Sequence, residues 1–364
     1  MSSARIAIEA TSMTEPRPSG IGVYTRELVH ALLALAEPVD LTLLYRSGRR
    51  RDARMLPSGP HCSVQSWRGA WWPLRRNFAL VHATDRRLPP WRGMKILTTV
   101  YDVYAALGIN FDHPQERERQ VEVFREYARR SERILFISEH TRRDFLSLFP
   151  FDEQRTHVTH LGVNPRFRPH TLEEIHPVRQ RYALDENYLL FVGLSNPNKN
   201  LPRLLEAYAA SPARADCQLA IVGVVPDEQL SRLHGVIDKL GLRERVKLLG
   251  YVADEHLPPL YAGAAAYMFP SLYEGFGLPI LEAMASGVPV LTSTVSSCPE
   301  VANGRAVLVD PTSTEAISAG IEKALAMTAA QRAAAREYAL TKTWRKTAEQ
   351  TLAVYRLAAA GKHG

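Results

Sequence analysis

Residues 271–290 contain two glutamates and three glycines at a spacing that indicates a ligand-binding loop. The segment reads SLYEGFGLPILEAMASGVPV and places Glu274 and Glu282 eight residues apart. Gly275 and Gly277 allow the backbone to approach a ligand closely, because they carry no Cβ. A phosphate repels a carboxylate, so both glutamates are better suited to accept hydrogen bonds from sugar hydroxyls.

The flanking sequence predicts the elements that position these residues. The apolar run at 266–269 predicts a buried strand, and residues 270–278 predict a loop. Pro279 suits the first position of a helix, and Gly287 suits its end. A strand, a glycine loop and a helix N-terminus together form an anion site, because free N–H groups and the helix dipole face the ligand.

Short β-branched runs alternate with helical patterns along the whole chain, which is typical of βαβ units around parallel sheets. The first predicted strands are Arg5–Ala10, Leu41–Tyr45, Leu80–Ala83, Ile96–Val100, Ile134–Ile137 and His157–His160. The second series is Tyr188–Val192, Gln218–Val222, Val246–Leu249, Ala266–Phe269, Val288–Thr292 and Ala306–Val309. Predicted helices include Tyr24–Ala36, Glu116–Ser131, Leu201–Ala209, Gln229–Leu240 and Pro279–Ala285, followed by a helical tail over 314–360 with a break near 341–343.

The proline-rich segment Val163–Pro177 predicts a connector between the two series. We therefore expect an α/β protein with two Rossmann-like domains. Such sheets bind ligands beyond the carboxyl ends of their strands, so a cleft between the domains is the expected site.

The composition excludes several classes of protein. The chain has 364 residues, 46% of them hydrophobic and 23% charged, which is typical of folded domains. Its three cysteines lie far apart without a C-x-x-C motif, so neither a disulfide framework nor a structural zinc site is expected. We see no signal-peptide pattern and no apolar run of about 18 residues, and we expect a cytoplasmic protein.

Several motifs together resemble the retaining glycosyltransferases of family 4, which have the GT-B fold. Glu274 and Glu282 resemble that family's paired donor-binding glutamates. The resemblance covers nearly the whole chain and also rests on SGIGVYT at 19–25, FVGLSNPNKNL at 191–201, SSCPEV at 296–301 and TWRKTA at 343–348. It implies an acceptor-side domain at 1–168, a nucleotide-sugar-binding domain at 169–343, and a C-terminal helix at about 344–364 that crosses back.

The resemblance implies a role for each matching residue. Gly20 would bring a backbone N–H to the donor phosphate, and Lys199 would neutralise the diphosphate as a point charge. Glu274 would bond the donor sugar, and Glu282 the nucleotide ribose. Glu274 and Lys199 are the implied catalytic residues. The complete implied donor site is Gly20, Gly22, Gly193, Asn198, Lys199, Glu274, Gly275, Phe276, Gly277, Leu278 and Glu282.

This chain departs from the family's pattern at two places. Many members carry an arginine where this chain has Asn198 or Leu194, so the phosphate site has one positive charge fewer. Arg142 and Arg143 are equal candidates to replace it. Many members also carry His-Asp where this chain has Tyr101-Asp102, and a tyrosine cannot do acid–base work near neutral pH.

No Asp-x-Asp motif occurs, so we expect no metal and no other cofactor, and Lys199 and a helix dipole are the expected counter-charges. In this hypothesis the leaving nucleotide diphosphate is stabilised electrostatically, and its β-phosphate takes the acceptor proton on the same face of the sugar. The alternative is a double displacement with Glu274 as the nucleophile.

Residues 46–95 hold twelve basic and two acidic residues, a local net charge of +10, whereas the rest of the chain sums to −3. The same window holds four of the five tryptophans, Trp67, Trp71, Trp72 and Trp91. Three interpretations stay open: an ordinary solvated surface over core tryptophans, nucleic-acid binding, or docking on an anionic membrane. We favour membrane docking over nucleic acid, because such transferases often extend sugars on lipid-diphosphate carriers.

The expected function is transfer of a hexose, first mannose from GDP-mannose, onto a glycan or lipid-linked saccharide of a surface polysaccharide. Candidate acceptor or sugar contacts are Tyr101, Asp102, His82 and Asp85. The alternative donors are UDP-glucose, UDP-N-acetylglucosamine and dTDP-rhamnose. The alternative of another class is a non-catalytic membrane- or nucleic-acid-binding module on the same fold.

Overall fold

A computed structural model gives the fold of this chain, and it describes residues 5–15, 19–37, 39–49, 52–67, 78–85, 88–90, 93–108, 114–193, 197–224 and 227–360. The chain divides into two compact units. The first unit comprises Met1–Gly162 and Thr343–Gly364, and the second comprises Val163–Lys342.

The first unit is built on a parallel sheet with seven strands in the described residues. In chain order they are β1 (Ile6–Glu9), β2 (Leu41–Arg46), β3 (Cys62–Trp67), β4 (Leu80–Ala83), β5 (Ile96–Val100), β6 (Arg133–Phe136) and β7 (Thr156–Val158). Their order in the sheet is β3-β2-β1-β4-β5-β6-β7, with β1 paired to β2 on one side and β4 on the other. Successive strands are added toward one edge up to β3 and toward the other edge from β4 onward, so the strand order reverses at the β1–β4 pair, the place where open parallel sheets bind ligands.

Helices join and cover these strands. They are α1 (Gly20–Leu33), α2 (Tyr104–Leu107), α3 (Pro114–Arg130), α4 (Glu139–Leu148) and, at the end of the chain, α13 (Trp344–Ala360). Helix α13 is part of this unit's core: Trp344 lies edge-on to Tyr24 of α1, with ring centroids 6.0 Å apart. The Lys95 ammonium donates to the Ala359 carbonyl at 2.8 Å and so satisfies a terminal group of the helix.

The second unit has a parallel sheet in the order β10-β9-β8-β11-β12-β13. Its strands are β8 (Tyr188–Val192), β9 (Gln218–Val222), β10 (Val246–Gly250), β11 (Ala266–Phe269), β12 (Val290–Ser293) and β13 (Val307–Val309). Its helices are α5 (Leu172–Arg181), α6 (Leu201–Ala210), α7 (Asp227–Lys239), α8 (Leu257–Ala262), α9 (Leu278–Ala285), α10 (Cys298–Ala302), α11 (Thr314–Leu325) and α12 (Ala329–Leu340).

The apolar runs of the central strands explain why this sheet lies inside. Strands β8 and β11 are buried along almost their whole length because helices cover both faces of a parallel sheet. The core includes Leu189 and Phe191 of β8, Leu204 and Leu205 of α6, and Ile321 of α11. This packing brings the carboxyl ends of β8 and β11 side by side.

The structure confirms the α/β class and most predicted elements. Strands Leu80–Ala83, Ile96–Val100, Tyr188–Val192, Gln218–Val222 and Ala266–Phe269 have the predicted bounds. Strand β3 is not among the predicted strands, because its half-polar sequence CSVQSW contains no continuous apolar run.

The predicted connector Val163–Pro177 is wrong in its second half. Helix α5 begins after Thr171 and runs through Pro177 to Arg181. A capping box holds its first turn: the Thr171 side chain accepts from the backbone at Glu174, and the Glu174 carboxylate accepts from the backbone at Thr171. This reciprocal cap stabilises a helix that the internal proline alone argues against.

Candidate functional site

The loop at residues 270–277, here called the glycine loop, links β11 to helix α9. Its last residue, Gly277, has φ +97°, a conformation that L side chains rarely adopt. A Cβ there would also lie 3.0 Å from Cδ1 of Ile280. Glycine is therefore required for α9 to begin where it does, with Leu278 as its first residue.

Two asparagines hold the first half of the glycine loop. The Asn198 side-chain amide donates to the Tyr273 carbonyl at 2.6 Å, and the Asn198 backbone carbonyl accepts from Leu272 N–H at 2.7 Å. The Asn200 amide donates to the Pro270 carbonyl at 3.0 Å. Both asparagines are buried, so these bonds fix the loop against the end of β8. The structure gives Asn198 a role in holding the loop, and its contact to a ligand stays a prediction.

Lys199 and Glu274, 75 residues apart in sequence, form an ion pair at this edge of the sheet. The Lys199 Nζ lies 2.7 Å from Oε1 of Glu274 and 4.7 Å from the centre of the Phe269 ring. Their side chains are 18% and 10% exposed, so water screens this pair less than it screens a surface pair. Gly193, at φ +113°, makes room for the lysine, because a Cβ there would lie 3.3 Å from Lys199 Cε.

Glu282 lies within α9, next to two fully buried tyrosines. The Tyr261 and Tyr267 rings are 5.2 Å apart. Burial raises the pKa of the Tyr261 hydroxyl well above its usual value, and Tyr267 and Glu282 raise it further. Both phenols therefore stay protonated at neutral pH, beside the Glu282 carboxylate. Phe276 of the glycine loop is also buried, whereas Gly275, Leu278 and Glu282 are half-buried.

The structure thus brings the second-unit residues of the predicted site onto one edge of one sheet. Gly193 and Lys199 follow β8, and Glu274 to Leu278 follow β11, its neighbour. Their roles toward a ligand stay predictions.

The first-unit glycines lie in the first turn of α1. Gly20 is its first residue, and the Ser19 side chain caps the helix by accepting from Gly22 N–H at 3.5 Å. Gly20 is exposed, and in the described part of the chain no atom beyond its neighbours in sequence and its own helix lies within 4 Å of a Cβ placed on it. A 14-residue helix with an open first turn suits an anion, as the resemblance implies.

The prediction that His82 contacts a sugar is wrong. His82 is fully buried, and its two ring nitrogens bond the Tyr355 hydroxyl at 2.8 Å and the Thr99 hydroxyl at 2.7 Å. Burial lowers its pKa to about 3, so the imidazole is neutral. It ties strand β4 to helix α13, and both ring nitrogens are used inside the protein.

The remaining acceptor candidates lie after neighbouring strands of the first sheet. The Tyr101 hydroxyl donates to the Thr84 carbonyl at 2.7 Å, and Asp102 accepts from Tyr104 N–H at 3.2 Å. Asp85, after β4, pairs with the Arg46 guanidinium at the end of β2. Their contacts to an acceptor stay predictions.

Sequence reasoning missed Glu9, which joins this group from the end of β1. It is 1% exposed and accepts from the Thr11 hydroxyl. Burial first, and then the nearby Asp85 carboxylate, raise the pKa of Glu9 to about 7, although Thr11 and Arg46 partly oppose the shift. The available signal was an acidic residue at the carboxyl end of an otherwise apolar strand beside the sheet's reversal point.

Two further predictions concern the replacement arginine at 142 or 143 and the basic window at 46–95, and the structure describes only part of that window. Arg142 is bound to Glu139 and Glu153 within the first unit, whereas Arg143 is exposed. Much of the basic window, including Trp71, Trp72 and Trp91, lies outside the described residues. Among its described members, Arg46 pairs with Asp85, and Trp67 packs on the apolar cluster of Leu44 and Val81.

Two features are absent from the part of the chain that the structure describes: a group of metal ligands and a membrane-spanning helix. There, no group of three or more His, Cys, Asp or Glu side chains is placed to hold a metal ion. In the same residues, no helix is both long and apolar enough to cross a membrane.

Two Rossmann-like sheets, with a glutamate on a glycine loop paired to a lysine after the neighbouring strand, point to glycosyltransferases of the GT-B class. A solved structure of sucrose-phosphate synthase from Thermosynechococcus elongatus has the same fold, with a TM-score of 0.79 at 21% identity. The match covers 99% of this chain and all of that one.

Sequence comparisons define the family. A model described as Glycosyltransferase Family 4 matches residues 18–167, and one described as Glycosyl transferases group 1 matches residues 173–342. The O-antigen chain mannosyltransferase B of Escherichia coli is 34% identical, across 93% of this chain and 96% of the relative. The serotype-specific mannosyltransferase WbdA of Escherichia coli is 30% identical, across 58% of this chain and 26% of the relative. This chain belongs to the family 4 glycosyltransferases.

Proposed function

We propose that this glycosyltransferase is a retaining mannosyltransferase that uses GDP-mannose and extends a glycan or lipid-linked saccharide of a surface polysaccharide. The observation that carries the proposal is the Lys199–Glu274 pair, whose ammonium and carboxylate are 2.7 Å apart. A sugar diphosphate presents an anion next to hydroxyl groups, and this pair complements both. The choice of mannose rests on the O-antigen relative, which is a mannosyltransferase.

In this proposal each residue of the site binds one part of the donor. Lys199 neutralises the diphosphate as its bond to the sugar breaks. Glu274 accepts from sugar hydroxyls, and Glu282, held beside Tyr261, accepts from the ribose. Asp85 and Asp102 receive acceptor hydroxyls on the first unit.

The ion pair favours electrostatic stabilisation over a covalent intermediate at Glu274. An ammonium 2.7 Å from Oε1 lowers the electron density that a nucleophilic carboxylate needs. In the proposed step the sugar C1–O bond to the diphosphate breaks, and the β-phosphate accepts the proton of the acceptor hydroxyl. The acceptor oxygen then bonds C1 from the face that the diphosphate leaves, which retains the configuration.

Thermal shift with GDP, UDP and dTDP and their sugars tests the proposal. A nucleotide at 100 times its Kd stabilises the folded protein by about 2.7 kcal/mol, so GDP should raise the Tm clearly and the other two should not. Lys199→Met should abolish the shift, and Lys239→Met, on the exposed end of α7, is the matched control.

The outcomes of this screen separate the alternatives. A shift with UDP or dTDP alone would replace GDP-mannose by UDP-glucose, UDP-N-acetylglucosamine or dTDP-rhamnose. No shift with any nucleotide would favour a non-catalytic binding module. With a saccharide acceptor, NMR of the product gives the anomeric configuration, and inversion would contradict the proposed step.

The proposal also includes docking of residues 46–95 on an anionic membrane surface, which their local charge of +10 supports. Sedimentation with anionic liposomes at low salt tests it. Failure to sediment would contradict docking without affecting donor binding.

A further inference from the structure

Three serine hydroxyls, one from the last residue of β12 and two from the segment that follows it, bond the backbone of the glycine loop. Ser293 Oγ donates to the Ser271 carbonyl at 2.6 Å. Ser296 Oγ accepts from Glu274 N–H at 3.0 Å. Ser297 Oγ lies 2.9 Å from the Glu274 carbonyl and 2.8 Å from the Phe276 carbonyl. The loop is thus held from the side opposite to Asn198 and Asn200 by neutral side chains.

Ser297 bonds the loop on both sides of Gly275. Its two acceptor carbonyls flank Gly275, whose backbone has the widest conformational range of any residue. A serine has a single O–H proton, so Ser297 shares it between the two carbonyls in a three-centre bond. Since Ser297 is fully buried, water cannot replace that bond.

Ser296 bonds the N–H of Glu274, the residue whose carbonyl Ser297 bonds. Its backbone has φ +55°, in the left-handed region that non-glycine residues rarely occupy. That conformation costs energy, and it places the hydroxyl oxygen against Glu274 N–H. The N–H and the carbonyl of Glu274 are therefore both bonded to neighbouring serines.

We propose that Ser296 and Ser297 are positioning residues for the transfer reaction. They hold the Glu274 backbone so that its carboxylate stays on Lys199 and meets the donor sugar at a fixed place. This inference rests on the proposed function. A displacement of about 1 Å at a reacting centre can cost about 100-fold in rate, so the loss of this hold should be visible in turnover.

The test compares Ser297→Ala with Ser293→Ala, using the full-length protein. Both variants remove a buried serine–carbonyl bond to the same loop, but Ser293 acts at Ser271, three residues before Glu274. Ser297→Ala should lower kcat for transfer from GDP-mannose about 10- to 100-fold and leave the GDP-induced Tm shift unchanged. Ser293→Ala should lower the Tm to a similar extent but keep kcat within about twofold.

Each outcome decides the inference. Equal loss of kcat in both variants would show a merely structural role and overturn it, as would normal kcat in Ser297→Ala. If Ser297→Ala does not fold, Ser296→Gly takes its place, because glycine keeps the left-handed backbone without the hydroxyl; normal kcat there also overturns it. If GDP shifts the wild-type Tm and transfer occurs, the proposed function stands whatever the serine variants do.

Discussion

Buried carboxylates follow the central strands of both sheets, but their charges are balanced differently. In the second unit, Glu274 faces one ammonium, that of Lys199, and neutral amides and hydroxyls hold its loop. In the first unit, Arg46 pairs with Asp85, and the Asp85 carboxylate lies close enough to Glu9 to raise its pKa. The second site contains an oppositely charged, balanced pair, whereas the first places the buried Glu9 carboxyl near a second carboxylate.

The difference teaches how each site responds to its surroundings. In a balanced pair each charge offsets the other, which suits binding of a charged donor. A buried carboxyl near a second carboxylate is less costly when protonated, and burial is the main cause that raises the pKa of Glu9 to about 7. We therefore expect Glu9 to make the stability of the first unit depend on pH near neutrality.

The largest effect is expected when the balanced pair is broken. Lys199→Met leaves the Glu274 carboxylate buried alone, so transfer should fall about 10²–10³-fold, a typical cost of removing one group that stabilises developing charge. Initial transfer rates and the Tm measure this. In the double variant with Glu274→Gln no buried charge remains, so the Tm should recover while transfer does not. Normal transfer by Lys199→Met would contradict the comparison.

A second effect concerns the buried carboxyl of Glu9. Glu9 has a pKa of about 7 when folded and an ordinary value of 4.5, so the folded state binds more protons between these values. Stability should therefore fall as pH rises from 4.5 to 7, by about 3 kcal/mol in total. Glu9→Gln should raise the Tm above that of the wild type at pH 8 but not at pH 5.

Glu174, in the second unit, is the control of opposite sign for that experiment. Arg168 and the backbone at Thr171 lower its pKa to about 2, so its contribution is present above pH 4.5 and lost as pH falls toward 2. Glu174→Gln should lower the Tm slightly at pH 7, because the group is exposed. If the Tm of Glu9→Gln follows pH in parallel with that of the wild type from pH 5 to 8, the raised pKa of Glu9 is contradicted.

The smallest effect is expected for Asp85→Asn, which separates two causes of the Glu9 shift. Burial is the larger cause and the Asp85 charge the smaller, so this variant should only reduce the pH dependence of the Tm. The same melting series measures it. Complete loss of the pH dependence would mean that the repulsion between carboxylates, and not burial, dominates.

Local patterns predicted the elements well wherever burial on both faces produced a continuous apolar run, as in β8 and β11. They failed where local signals conflicted. In α5 the capping box at Thr171 outweighed Pro177, and in β3 half-exposed side chains broke the apolar run. The site itself was predicted in part, because Glu274, Lys199 and the glycines lie in short local motifs.

The sequence by itself determined the two βα series, the glycine loop with its paired glutamates, and the resemblance that names the family. These features are encoded within short stretches of chain. Only the tertiary structure decided that Lys199 pairs with Glu274 and that serines at the end of β12 and just after it bond the glycine loop. The reason is that strand order sets which distant residues meet. It likewise placed His82 and Glu9 where burial shifts their pKa, because neighbouring strands and helices set those environments.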